Sequence, residues 1–109
     1  MKPIPKKLLI HSATLKNVTF DDWQNETFTT AAELTSIRIE PSSKLVTDKQ
    51  NRQITLAAIM FYDCRNSSPE AVEFHHGQRV EFNGTLYRIE LIEALYDGEK
   101  LHHYELGLI

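Results

Sequence analysis

Apolar and polar positions alternate with a period of two in one stretch of this chain. Thr35, Ile37 and Ile39 alternate with Ser36, Arg38 and Glu40, which predicts a half-buried strand over residues 30–40. Pro41 ends it, because proline has no N–H for the ladder. Leu8 to Ala13 predicts an earlier strand. Between the two, the pairs Asp21-Asp22 and Asn25-Glu26 predict a turn near Trp23. A helix starting at Asp21 or Asp22 is the alternative, opposed by Thr27, Thr29 and Thr30. Residues 54–62 are apolar on both faces, with Ile54, Leu56, Ala58 and Met60 on one and Ala57, Ile59 and Phe61 on the other. That pattern fits a strand buried twice, or one whose outer face meets a partner. From Val80 onward, Asn83-Gly84 and Asp97-Gly98 divide aromatic and β-branched runs into a three-stranded meander.

Polar stretches connect these strands. Residues 42–52 hold only Leu45 and Val46 as apolar side chains and predict an extended loop. Residues 63–70, with Cys64, Arg65 and Pro69, predict a second loop. A short strand is expected over residues 71–74, and His75-His76-Gly77 turns the chain into the meander. Residues 1–7 are expected as a flexible N-terminal tail. The expected fold is all-β: one domain, a small antiparallel β-barrel of about six strands with long polar loops.

A length of 109 residues suits one modest core with little surface left for a deep pocket. The net charge of −3 gives no chain-wide attraction to nucleic acid, and the basic cluster Lys2, Lys6 and Lys7 is expected to be solvated. No apolar run reaches the ~18–20 residues of a membrane span, and Leu8-Leu9-Ile10 is too short for a signal-peptide core. A single cysteine, Cys64, suggests a reducing compartment. Four Asn-X-Ser/Thr sites then reflect composition rather than glycosylation.

Catalytic constellations are weak. Zinc needs three or four converging ligands. His76, His102, Cys64 and Asp63 are the conceivable set, without a supporting spacing. Neighbours on a strand point to opposite faces, so one histidine of each adjacent pair is expected inside and the other in solvent. No nucleophile elbow or cysteine-protease signature is present, and Glu81, Glu90, Glu93 and Glu105 fit the polar stripe of a sheet. Four isolated glycines do not make a phosphate loop. Phe61, Tyr62, Phe82, Tyr87 and Tyr104 offer stacking faces for single-stranded nucleic acid, but their strands carry more Glu than Lys or Arg. Neither a cofactor nor catalytic chemistry is expected.

Several segments resemble minor capsid proteins of tailed phages and prophages of Gram-positive bacteria. They include Leu8-Leu-Ile-His-Ser-Ala-Thr-Leu15, Ile37-Arg-Ile-Glu-Pro-Ser-Ser43, Met60-Phe-Tyr-Asp-Cys-Arg-Asn-Ser67 and His102-His-Tyr-Glu-Leu-Gly-Leu-Ile109. The resemblance runs through nearly the whole chain in order. It implies a head-closure, or stopper, protein of the virion neck, made in the bacterial host cytoplasm. Such a protein is a small β-barrel that self-associates into a ring beneath the portal and adaptor. It meets tail-side proteins, helps retain packaged DNA, and needs no cofactor or membrane. In this setting Lys44, Lys49 and Arg52 of the polar loop become candidate contacts with acidic neighbours or DNA, Ile59 and Phe61 candidate ring contacts, and Arg65 a further partner contact. A small OB- or SH3-like module binding single-stranded nucleic acid or peptide is the alternative, followed by a metal-dependent enzyme built on the histidines.

Overall fold

The computed structural model describes residues 2–48, 50–70 and 72–109. Its strands are β1 (His11–Phe20), β2 (Glu26–Pro41), β3 (Leu45–Thr47), β4 (Gln53–Thr55), β5 (Ala58–Asp63), β6 (Arg79–Phe82), β7 (Thr85–Asp97) and β8 (Lys100–Leu108). Six of them pair in the order β1-β2-β5-β8-β7-β6, and β6 returns to β1 through Thr14–Lys16, which closes a barrel. All these pairings are antiparallel. β3 and β4 form a separate hairpin. The expected all-β barrel is what the chain forms.

Alternation sorts the side chains. Leu15, Leu34, Ile37, Met60, Val80, Ile89, Leu106 and Leu108 are fully buried and fill the barrel. Outside, Lys16 pairs with Glu81 at 2.9 Å and Arg38 with Glu40 at 2.6 Å. The β6–β7 turn needs positive φ at both central positions, and Asn83 (50°) and Gly84 (78°) supply it. At the opposite end of the barrel, the segment between β5 and β6 folds across the opening. Thr35 and Ser68 exchange backbone hydrogen bonds of 3.0 Å each, where a bulge in β2 places Ser36 at φ 53°. Phe74 enters the core behind them.

Several boundaries differ from expectation. β1 starts later and runs further than residues 8–13, and β2 begins at Glu26 rather than 30. Lys16 is an outward position on the continuing β1 ladder. The predicted strand 54–62 is broken at Leu56–Ala57, so Ile54 belongs to the β3–β4 hairpin. The expected loop 42–52 contains β3, ordered by its pairing with β4. Ala71 lies outside the described residues, and Val72 to Phe74 form no strand. Nor do residues 2–7 hang free. The Ile4 N–H donates to Asp63 Oδ2 at 2.8 Å, the Ile4 carbonyl accepts from Asn66 Nδ2 at 2.7 Å, and a 3-10 turn follows at Lys6–Leu8. We call this segment, residues 2–10, the strap.

Leu56 is buried, yet it sits outside the barrel. It covers Gly107, whose neighbours Leu106 and Leu108 point inward. A Cβ at position 107 would stand 2.9 Å from Leu56 Cδ2 and 2.9 Å from Leu91 Cβ. The leucine tip can give way, whereas a Cβ fixed to the β7 backbone cannot. Gly107→Ala is therefore expected to lower stability by about 1–3 kcal/mol, the usual cost of overpacking. Urea unfolding measures it, and an unchanged midpoint would refute this close approach.

Candidate functional site

Three surface regions gather the chemistry-bearing side chains. The first is the outer face of β5 and β8 beneath the β3–β4 hairpin. Ile59 and Leu91 of the barrel meet Val46 of the hairpin and Leu56, which follows it, around a small cleft edged by Lys44. The second apolar face of the 54–62 segment is thus partly covered by the chain's own hairpin. Phe61, half-buried, lies one step along β5 between Arg38 of β2 and Glu105 of β8.

The hairpin turn is organised by Asp48. Its Oδ1 accepts the N–H groups of Gln50 and Arg52, each at 2.9 Å, and its Oδ2 takes Arg52 Nε at 3.0 Å. The Arg52 backbone N–H does most to hold the Asp48 carboxyl below the usual carboxylate range. Desolvation opposes it, while the Gln50 N–H and the Arg52 guanidinium add to it. A lowered folded value means that the charged form stabilises the turn. That contribution is complete above the unfolded carboxylate range and fades as pH falls through the folded value. Acidification is expected to release the Gln50 and Arg52 amides before the barrel opens. Hydrogen exchange of these amides in acid reads this, and protection that persists with Asp48 protonated would refute it. Arg52, although exposed, is already engaged by Asp48.

The second region lies at the other end of β5. An open cleft of about 260 Å³ is lined by Pro3, Asp63, Cys64, Arg65, Lys100 and His102, among others. The Arg65 side chain is exposed, and its backbone N–H donates to Asp63 Oδ1 at 2.9 Å. Burial, and then the Asp63 charge, push the Cys64 thiol up, which keeps it protonated and a poor nucleophile. His102 and His103 do not part to opposite faces as expected. The β7–β8 register shifts between Leu95 and Tyr96, which leaves His102 as the extra residue of a bulge on its neighbour's side. The two Nδ1 atoms are 2.7 Å apart; His102 Nε2 reaches the Lys2 carbonyl at 2.6 Å and His103 Nε2 reaches Glu105 at 3.0 Å. His75 and His76 are both exposed, again unlike the expected one-in, one-out arrangement. Among the described residues, no three His, Cys, Asp or Glu side chains lie together as metal ligands.

The third region is the one that sequence reasoning missed. Residues 17–30 of β1 and β2 extend beyond the barrel as a two-stranded arm, since β6 pairs β1 only at Thr14–Lys16 and β5 pairs β2 only at Arg38–Pro41. The molecule is accordingly elongated, 47 × 30 × 27 Å. Register places Val18, Phe20 and Phe28 on one face and Asn17, Thr19, Thr27 and Thr29 on the other. Trp23 stands at the tip, 84% exposed, and Phe20 is 61% exposed. Asp21 fastens the tip by accepting the Trp23 and Asn25 N–H groups at 2.9 Å each. At the base, Arg79 lies over the Phe28 ring at 5.9 Å and bonds Glu26 at 3.2 Å. The available signal was the Val18, Phe20, Phe28 alternation across the Asp21 turn.

The structure therefore does not unite the sequence-predicted contacts. Lys44, Ile59 and Phe61 share one outer face, Arg52 closes the hairpin turn, Arg65 lies at the far end of β5, and Lys49 falls outside the described residues. No curated protein matches the chain. Among known families, the one described as Minor capsid protein matches residues 5–108, nearly all of it. Family membership gives the protein a structural role in a virion, associated with other virion proteins, and agrees with the expectation from its segments. The chain belongs to the Minor capsid protein family.

Proposed function

We propose that this capsid protein is a head-closure component of the neck, joining the portal and adaptor to the tail and helping to retain packaged DNA. The observation that carries the reading is the division between a finished core and an unfinished surface. The barrel buries its core within one chain, yet the arm presents Phe20 and Trp23 to solvent. Large exposed aromatics on a projecting ribbon mark a surface built for contact with another protein. Self-association into a ring gives such surfaces a partner in every copy. Lys44, Ile59 and Phe61 provide a second contact face, and Arg65 a third position, for the adaptor or tail-side proteins. The test is disruption of the gene in a phage or prophage, with lysates examined by electron microscopy. DNA-leaking heads lying apart from finished tails are expected. Intact, filled, tailed and infectious particles would overturn the neck assignment.

A further inference from the structure

We infer that the β1–β2 arm of one copy docks on the N-terminal strap of a second copy of this chain. The inference rests on the self-association just proposed and names its two surfaces. The two segments carry opposite charges in sequence, with Arg79 paired to Glu26 only at the base of the arm. From Asn17 to Thr30 the arm has three acids, Asp21, Asp22 and Glu26, and no Lys, Arg or His of its own. From Lys2 to Ile10 it has three lysines, Lys2, Lys6 and Lys7, and no acid. Both surfaces also expose large apolar side chains: Phe20 and Trp23 on the arm, Leu8 and Ile10 on the strap, with Ile10 67% exposed.

The two surfaces of one chain do not meet. The strap is held against the barrel by the Ile4–Asp63 bond and by Arg38 Nη1 bonding the Leu8 carbonyl at 3.2 Å. β1 then runs ten residues from His11 to Phe20. At ~3.3 Å per residue this puts the arm tip roughly 30 Å from Ile10. Complementary patches that far apart on a rigid strand cannot meet within one copy but can meet between copies. A contact between two different surfaces is head-to-tail, and repetition closes into a ring or grows as a filament. The arm gains as well, because a two-stranded ribbon with an exposed apolar face is marginal alone in water. Opposed charge selects the register and disfavours arm-on-arm contact, where acids would face acids.

Disulfide trapping in full-length chains tests the contact even where it is weak. Both chains carry Cys64→Ser; one has Asn25→Cys at the arm tip and the other Ile10→Cys on the strap. The mixed disulfide is expected to form about tenfold faster than with Gln50→Cys in place of Ile10→Cys, equivalent to ~1.4 kcal/mol of preference. Asp22→Lys on the arm chain should remove the preference. Adding Lys6→Glu and Lys7→Glu to the strap chain should restore it. Trp23→Ala, which changes no charge, should slow trapping without altering Tm. Equal trapping at positions 10 and 50, indifference to Asp22→Lys, or no recovery on charge reversal would each overturn the contact. Such a failure leaves the neck reading intact. Infectious particles from the disrupted gene would remove the neck reading without touching the trapping result.

Discussion

Replacing Tyr62 with alanine is expected to destabilise the protein by about 3–5 kcal/mol, the range for deleting a large buried aromatic. Tyr62 is buried on β5 and meets Phe74 edge-on, with ring centroids 5.4 Å apart. Phe74 in turn meets Tyr104 of β8 at 5.3 Å. The three rings tie β5 and β8 to the segment that crosses the open end of the barrel, and the Tyr62 hydroxyl donates to the Pro69 carbonyl on that segment. Tyr62→Ala removes the ring and orphans its neighbours, whereas Tyr62→Phe removes one hydrogen bond, worth about 1 kcal/mol.

Alkaline pH provides a second reading of the same residue. Burial, with smaller contributions from Cys64 and Tyr104, pushes the Tyr62 phenol up to about 12 from an ordinary 10.0. The folded state therefore holds this proton more tightly than the unfolded state. The associated stability is complete below the unfolded value and is lost as pH rises from there through the folded value. Between pH 10 and 12 the wild-type protein should lose stability faster than Tyr62→Phe. Urea midpoints across that interval decide it, and parallel losses in the two proteins would show that Tyr62 does not carry the effect.

The barrel was legible because its signals are local. Asn83-Gly84 and Asp97-Gly98 set two turns through backbone conformation alone, and Ile37 to Glu40 of β2 carry alternation strong enough to assign faces. The arm was harder to foresee. Its polar positions Asn17, Thr19 and Thr27 look like loop, because a ribbon outside the barrel has no buried face to impose contrast. The break at Leu56–Ala57 was hidden for the opposite reason. Leu56 is as apolar as any core residue, but it packs outside, over Gly107 near the end of β8. The His102 bulge likewise depends on register with β7, which no period-two reading reports. Of the candidate contacts, Ile59 and Phe61 were visible as a second apolar face. Trp23 reads as part of a turn and the strap lysines as solvated charge, because neither has a sequence neighbour that marks a contact.

Asp63 joins the strap to the barrel, and its substitutions separate two roles that wild type combines. Its carboxylate is fully buried and accepts three backbone N–H groups: Ile4 at 2.8 Å through Oδ2, and Arg65 and Asn66 at 2.9 Å each through Oδ1. Its own N–H donates to Ser67 Oγ at 2.9 Å, so the turn after β5 is built around this residue. Alanine leaves all three donors without an acceptor. Buried donors cost about 1–3 kcal/mol each, but Ile4 and Arg65 are near enough to solvent to recover part of it, so Asp63→Ala is expected to lose about 3–4 kcal/mol. Asparagine discriminates. Its Oδ1 keeps Arg65 and Asn66, while its Nδ2 turns a donor toward the Ile4 N–H. Asp63→Asn is therefore expected to cost only about 1–2 kcal/mol and to concentrate the damage on the strap. Amide exchange at Ile4 should accelerate while exchange at Asn66 stays slow. Equal acceleration at both would show that the carboxylate does not divide its oxygens in this way. If the arm docks on a strap held in place, Asp63→Asn should also slow the disulfide between the Asn25→Cys and Ile10→Cys chains, although Asp63 bonds the strap only at Ile4.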